Sequence, residues 1–423
     1  MIIAAASTSY SAADFGSGEW GTVSCPAGNN VAWLKCATFD ACKITATSSD
    51  GMWINKSFWG VQGWEISTNT TTVGACFHIG PTTSSSIIHH VILANNVANG
   101  CRGGGFTAYD LNSSASVDYI VYVGNIAYNA ASGSGACYSG LNVYQPIASD
   151  TVTGTHIYVA GNFAYNNVDG NPCAGGAPTD GEGINLDTFD FSQGGGPAYT
   201  QQAVVQNNIS VSNGGRGIYA ENNKAGGGSN ATIIFKFNTM YGNDKDPNQG
   251  FCVGNGDLGF QAVSNSTATN NIAETDTANG CSGVAKSAME MANDNTVFMN
   301  TNWLYSAAGN TIFTFNNGSV SPGANHTGTS AGFTSTTIPG APSCGSATSV
   351  TNCMANMISN FTPTAPGASA YGYQIPLPTS VSDPLFPQWL CNVNLPTGLV
   401  TMGCGASSST LPAPPTNIGV SVQ

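Results

Sequence analysis

The sequence predicts an all-β protein, wound as a single-stranded right-handed parallel β-helix with irregular N- and C-terminal caps. Three observations predict it. An Asn-led pattern recurs along the chain, and a Gly-led alternating strand follows most of its copies. Only 7% of the residues are charged, so Gly, Ser, Thr, Asn and Ala fill the places that helix-forming Lys, Glu and Arg usually take.

The Asn-led copies start at Asn96, Asn125, Asn162, Asn208, Asn238, Asn271 and Asn302, with spacings of 29, 37, 46, 30, 33 and 31. Several follow strands that alternate at period two, such as Tyr119-Ile120-Val121-Tyr122-Val123 and His156-Ile157-Tyr158-Val159. The Gly-led copies start at Gly105, Gly140, Gly183, Gly217 and Gly250, each with an apolar residue one and three places later. Each repeat therefore holds about three short strands between Gly and Asn turns, which suits one coil of a β-helix. A β-propeller blade would need four antiparallel strands. The Asn column is expected to form a side-chain ladder that satisfies turn amides. Ile126, Leu141, Phe163, Ile184, Ile218 and Phe251 are expected to point inward.

The organisation expected is an N-terminal cap over 1–45, the β-helix over 46–335, a Cys- and Pro-rich irregular cap over 336–410, and a linker-like tail over 411–423. The opening Met1-Ile2-Ile3-Ala4-Ala5-Ala6 is expected to be a mature N-terminus with an added Met. Hydrophobic residues make up 41% of the chain, enough for a core. A formal charge of -13, with seven Lys and two Arg scattered along the chain, excludes a nucleic-acid partner. No run of apolar residues is long enough to span a membrane. Thirteen Cys without a CxxC pair read as disulfides of an oxidising compartment, so a secreted or periplasmic monomer is expected. Staples are expected near the ends, at Cys25, Cys36 and Cys42 and at Cys344, Cys353, Cys391 and Cys404.

Alternation carries the outward residues of the Gly-led strands to one face. One outward column reads Thr107, Asn142, Asn185, Tyr219, Cys252, and the other reads Tyr109, Tyr144, Asp187, Glu221, Gly254. Neighbouring coils lie about 4.8 Å apart, so Asp187 and Glu221 become neighbours flanked by Tyr144 and Tyr219. Asp180, Glu182 and Asp190 precede or follow Asp187 closely, and Arg216 comes from the next coil. Carboxylates from two coils beside aromatic rings suit proton transfer on a sugar, or a cation site. A plain reading is solvated turn carboxylates paired with Arg216. His89, His90 and His156 lie on strands without partners in sequence and read as strand-face residues. No nucleophile elbow, phosphate loop or dinucleotide fingerprint is present.

The stretch Asp180-Gly181-Glu182-Gly183-Ile184-Asn185-Leu186-Asp187, with Gln206-Asn207-Asn208-Ile209 and Asn213-Gly214-Gly215-Arg216-Gly217-Ile218, resembles the pectate-lyase-like β-helix superfamily, near polysaccharide lyase family nine. His89-His90-Val91-Ile92-Leu93-Ala94-Asn95-Asn96 also resembles its coils. The likeness spans residues 50–310. It implies a secreted enzyme acting on a polysaccharide, with Asp180 and Asp187 at the acidic positions that hold Ca²⁺ in that family; Glu182 and Asp190 complete the candidate metal set. In that family a Lys abstracts the sugar proton; Tyr219 stands at its place here, and Lys224 lies nearby. Three functions follow as expectations. The first is a lyase with Asp187, Glu221, Tyr219 and Arg216 as catalytic residues and Tyr109, Tyr144, Asn142, Asn185 and Lys224 on the substrate. The second is a retaining hydrolase of a neutral glycan using Asp187 and Glu221. The third is a glycan-binding or adhesion β-helix without catalysis.

Overall fold

The computed structural model describes residues 1–390 except 17, 23–30, 48–49, 70–73, 134–136, 170–178, 192, 194, 223–230, 249–255, 264, 279–284, 293–296, 317–319, 323, 375–384 and 388. Among the described residues the strands form three parallel sheets of 11, 11 and 9 strands. Consecutive strands go to different sheets and, after the first two strands, each strand pairs with the one three places on, so each full turn of the chain lays one rung on each sheet. This is a parallel β-helix, wound in the right-handed sense that parallel crossovers take. Sheet A runs from Ile2–Ala4 to Val320–Pro322, sheet B from Ser7–Tyr10 to His326–Thr327, and sheet C from Met52–Ile54 to Thr311–Asn316. The stack thus begins inside the stretch expected as an N-terminal cap, with Ile2–Ala4 paired to Ala32–Cys36.

The two sequence patterns have distinct physical causes. Asn96, Asn125, Asn162, Asn208, Asn238, Asn271, Asn302 and Asn325 form one continuous ladder at the turn from sheet A to sheet B. At the Asn125 rung, backbone N and Nδ2 both donate to Asn162 Oδ1, at 2.9 and 3.0 Å, and Nδ2 also donates to the Leu93 carbonyl. The same bonds repeat from Asn162 to Asn208 and on to Asn238, Asn271 and Asn302. A buried turn without hydrogen-bonded amides would be costly, and the ladder removes that cost. The Gly pattern answers a steric demand instead. A Cβ on Gly140, Gly183 or Gly217 would lie 2.7 Å from the backbone oxygen of the next coil.

Leu141, Ile184 and Ile218 point into the common core, as expected. Ile126 and Phe163 do not. Sheet B turns Ala98, Ala127 and Ala164 inward and faces Val97, Ile126, Phe163 and Ile209 outward. Those outward residues are buried because the chain returns over them with two short helices, Val350–Cys353 and Ala355–Asn360, bringing Val350, Met354, Met357 and Phe361. Farther on, Phe386, Trp389 and Leu390 cover the outer face of sheet A. The C-terminal stretch is therefore a strap along two faces of the solenoid. Phe251 lies outside the described residues. The strand that pairs with Ile218–Glu221 is Gly256–Gln261, so Leu258, Gly259, Phe260 and Gln261 continue the columns in place of Phe251, Cys252, Val253 and Gly254.

Disulfides join Cys36 to Cys42, Cys76 to Cys101 and Cys344 to Cys353, and Cys137 is also disulfide-bonded. Cys25, Cys391 and Cys404 lie outside the described residues. No described helix is long and apolar enough to cross a membrane.

Candidate active site

Sheet C holds the residues singled out from the sequence. Register pairs Leu141–Tyr144 with Ile184–Asp187 and Ile184–Asp187 with Ile218–Glu221, so Tyr144, Asp187 and Glu221 stand in one outward column. Asn142, Asn185 and Tyr219 stand in the other. Gly259 and Glu290 follow Tyr219 in that column on the next two coils.

Asp187 and Glu221 stand side by side in register on adjacent coils, close enough for each carboxyl group to shift the other. Asp187 is 6% exposed and Glu221 is partly buried. Burial and the neighbouring carboxylate push Asp187 well above the usual carboxylate range. Burial also raises Glu221, to about 7, against the pull of the Arg216 charge and of Asp187 and Asn185. Neighbouring carboxyl groups of this kind disfavour ionising together, because two adjacent anions repel and are poorly solvated. Thr188, with φ 53°, donates from Oγ1 to Asp187 Oδ1 at 2.5 Å. Its hydroxyl accepts from Gln193 Nε2 at 3.3 Å, and Gln193 Oε1 accepts from the Tyr144 hydroxyl at 2.9 Å. This chain fixes one oxygen of Asp187 as an acceptor. The Asn185 amide faces Glu221, although neither of its polar atoms reaches full hydrogen-bond geometry.

Arg216 sits at the centre of the other carboxylates and is 3% exposed. Its Nε and Nη2 donate to Glu290 at 2.8 and 3.1 Å, and Nη1 lies 3.5 Å from Glu182 Oε1. The guanidinium lies 4.1 Å from the centre of the Tyr219 ring. Space for this arrangement comes from Gly259, where a Cβ would fall 2.7 Å from the Tyr219 ring and 3.2 Å from Arg216 Cγ. Glu182 Oε2 accepts from Ser139 Oγ at 2.8 Å, and Asp180 accepts from Thr179 Oγ1 at 2.9 Å. The Tyr219 hydroxyl donates to Gln261 Oε1 at 2.8 Å, and burial pushes its phenol well above the ordinary value. The backbone N–H of Asp190 donates to Asn222 Oδ1 at 2.8 Å.

The family resemblance assigns calcium to the acidic residues of this cluster. Among the described residues no three His, Cys, Asp or Glu side chains converge as ligands, and Asp180, Glu182, Asp187 and Asp190 do not form such a set. The cation within the acidic cluster is Arg216, held by Glu290. Lys224 lies outside the described residues. Tyr109 is 40% exposed and stacks on Tyr144 with ring centres 5.1 Å apart. His89, His90 and His156 lie apart from this face. His90 and His156 stack on opposite sides of Tyr119, and His156 Nδ1 pairs with buried Asp118 at 3.1 Å.

Sequence reading missed Glu290, Gln261, Gly259, Thr188 and Gln193. Glu290 had a visible signal in the alternation Ala288-Met289-Glu290-Met291, but the column had been continued through the wrong segment. Gln193 and Thr188 reach the site from the loop after the strand, where no periodic signal exists.

Fold and site together define a right-handed parallel β-helix protein with two neighbouring carboxyl groups on the one sheet that the strap leaves uncovered, among the described residues. No family model matches the chain, and no curated protein matches it. Among solved structures it is similar to the A-modules of two mannuronan C-5 epimerases of Azotobacter vinelandii. One is 14% identical with a TM-score of 0.32 over 70% of this chain and 83% of that one. The other is 15% identical with a TM-score of 0.34 over 70% and 84%. The Dettilon tailspike protein is 15% identical with a TM-score of 0.32 over 70% of this chain and 58% of that one. Likenesses this distant carry no argument about activity.

Proposed function

We propose that this chain is a secreted or periplasmic enzyme that hydrolyses glycosidic bonds of a polysaccharide at the Asp187–Glu221 pair. The observation that carries the reading is the register that sets Asp187 beside Glu221 on adjacent coils, in surroundings that raise both carboxyl groups. Asp187 gives its proton to the leaving glycosidic oxygen. Glu221, whose ionised form the Arg216 charge favours, attacks the anomeric carbon and forms a glycosyl ester. Water, deprotonated by Asp187, then releases the sugar and restores the pair. Residues in register on adjacent coils, about 4.8 Å apart, stand nearer the separation of about 5 Å used by retaining enzymes than the roughly 6.5–9.5 Å that accommodates an inverting water. Elimination has weaker support. It needs a base and a cation to neutralise a uronate, but the Tyr219 hydroxyl is engaged with Gln261 and Arg216 with Glu290 and Glu182.

The test is incubation with a polysaccharide panel, reading new reducing ends and unsaturated-uronate absorbance together. Reducing ends alone are expected, and EDTA should leave the rate unchanged. Asp187→Asn and Glu221→Gln should each lower the rate by about 10²–10⁴. Absorbance from an unsaturated product, or full activity in both variants, overturns the proposal.

A further inference from the structure

We infer that the substrate is a neutral glycan whose long arm lies along sheet C on the N-terminal side of the carboxyl pair. This rests on the proposed function and adds the substrate class and the direction in which the chain runs.

The two outward columns differ sharply on either side of the pair. On the C-terminal side, Tyr219 of Glu221's own coil lies against Arg216, and the next two coils present Gln261 and Glu290, tied to Tyr219 and Arg216 by hydrogen bonds. That side is a closed polar lock. Toward the N-terminus, successive coils present Tyr144, Tyr109, His78 and Trp53. Neither column carries a lysine or arginine at these positions, and the carboxylates nearby would repel a polyuronate. An uncharged sugar chain meets no such repulsion.

The rings form two stacked steps. Trp53 and His78 lie 4.8 Å apart and 8° from parallel. Asp50 fixes His78 through Nδ1 at 2.8 Å, and the Gly80 carbonyl fixes the Trp53 indole N–H at 3.0 Å. The second step is Tyr109 on Tyr144, 14° from parallel. Asp187 stands beside Tyr144, and the His78 ring approaches Tyr109 edge-on with ring centres 6.4 Å apart, so among the described residues no ring is stacked on either outer side of the tyrosine step. One outer side borders the carboxyl pair, and the other lies toward the His78 step. Sugar rings bind aromatic faces by burying their C–H surface there. Beside the tyrosine step, on the same strand as Tyr144, Asn142 Oδ1 is buried with no hydrogen-bond partner, and a sugar hydroxyl would supply one. Each coil rises about 4.8 Å, close to the length of one sugar unit in an extended chain. The four coils from Trp53 to Tyr144 therefore match a bound arm of several units, with cleavage near one end of it.

The experiment uses full-length protein carrying Glu221→Gln, which should bind without cleaving. Calorimetry is run with cello-, xylo- and laminari-oligosaccharides of two to six units, and with hexagalacturonate and hexamannuronate. Binding to a neutral series is expected, tightening with each added unit up to about five. Tyr109→Ala should weaken the six-unit ligand about tenfold and leave the two-unit ligand unchanged. Trp53→Phe, a milder change, should weaken only the longest ligands. Preference for either uronate, affinity independent of length, indifference to Tyr109→Ala, or no binding to any ligand overturns the inference. The two proposals fail separately. Length-dependent binding without cleavage by the unsubstituted protein would sink the hydrolase reading alone. Cleavage that is lost in Asp187→Asn but unaffected by Tyr109→Ala would sink the neutral-arm inference alone.

Discussion

Arg216 illustrates how one residue sets the electrostatics of the site. Its burial would be prohibitive alone, and it is tolerable because Glu290 takes it in a two-point grip while Glu182 and the Tyr219 ring approach from other sides. Removing it strands at least one buried carboxylate. Arg216→Ala should destabilise the fold by about 3–5 kcal/mol in urea unfolding, and Glu290→Gln in the same background should recover part of that loss. Arg216→Lys should not restore stability, because an ammonium cannot make the two-point grip. Glu221 bears on the pH dependence of catalysis. Its carboxyl is raised to about 7 in the folded protein, and the proposed mechanism needs it ionised. The rate should therefore climb as pH passes through about 7, and a plateau already reached at pH 5 would contradict that role.

At the scale of one element, the Asn ladders show why coils of unequal length still stack in register. A second ladder runs from Asn167 through Asn213 and Asn243 and ends on Asp257, whose Oδ1 accepts from Asn243 N at 3.0 Å and Nδ2 at 2.6 Å. Asp257 is buried, and burial raises its carboxyl to about 7. A carboxyl whose folded value lies above its unfolded value binds protons more tightly when folded, so its contribution to stability falls as pH rises from about 4 to 7. Asp257→Asn keeps the acceptor oxygen and removes the charge. It should stabilise the protein at pH 8, on the order of a few kcal/mol, and change little at pH 4. Thermal unfolding at the two pH values measures this directly; equal shifts at both would refute it. Asn208→Ala, in the middle of the first ladder, should cost about 1–3 kcal/mol at either pH, because it leaves the buried Asn162 amide without its acceptor.

For the whole molecule, the strap decides which face is free. Sheet B presents a row of large apolar residues outward, and sheet A does the same with Ile92, Val121, Tyr158 and Val204. Bare, either face would be an aggregation-prone apolar patch. The strap covers both, anchored by Phe361 and Met357 on one and Trp389 on the other, with Cys344 and Cys353 joined beside the helices. Phe361→Ala should loosen this cover before the coils unfold. Proteolysis would then cut within residues 329–374 at a temperature where the coils remain intact, and a hydrophobic dye would bind. Loss of strap and coils in a single transition would show instead that the two fold as one unit.

The sequence by itself determined the coil. Period-two alternation, Gly where the next coil's backbone crowds in, and Asn where a buried turn needs amide partners are demands that each coil makes on its own residues, so they leave a repeating trace. That trace sufficed to set Asp187 beside Glu221 and Tyr144 beside Tyr109. Only the tertiary structure decided which apolar residues face the core. Ile126 and Phe163 satisfy burial equally well inside the solenoid or beneath a returning strap, and local pattern cannot distinguish the two. It also decided the partner of Arg216. Glu290 lies two coils away, brought into reach by the missing side chain of Gly259, and such a contact depends on which segment becomes the next rung rather than on any local spacing.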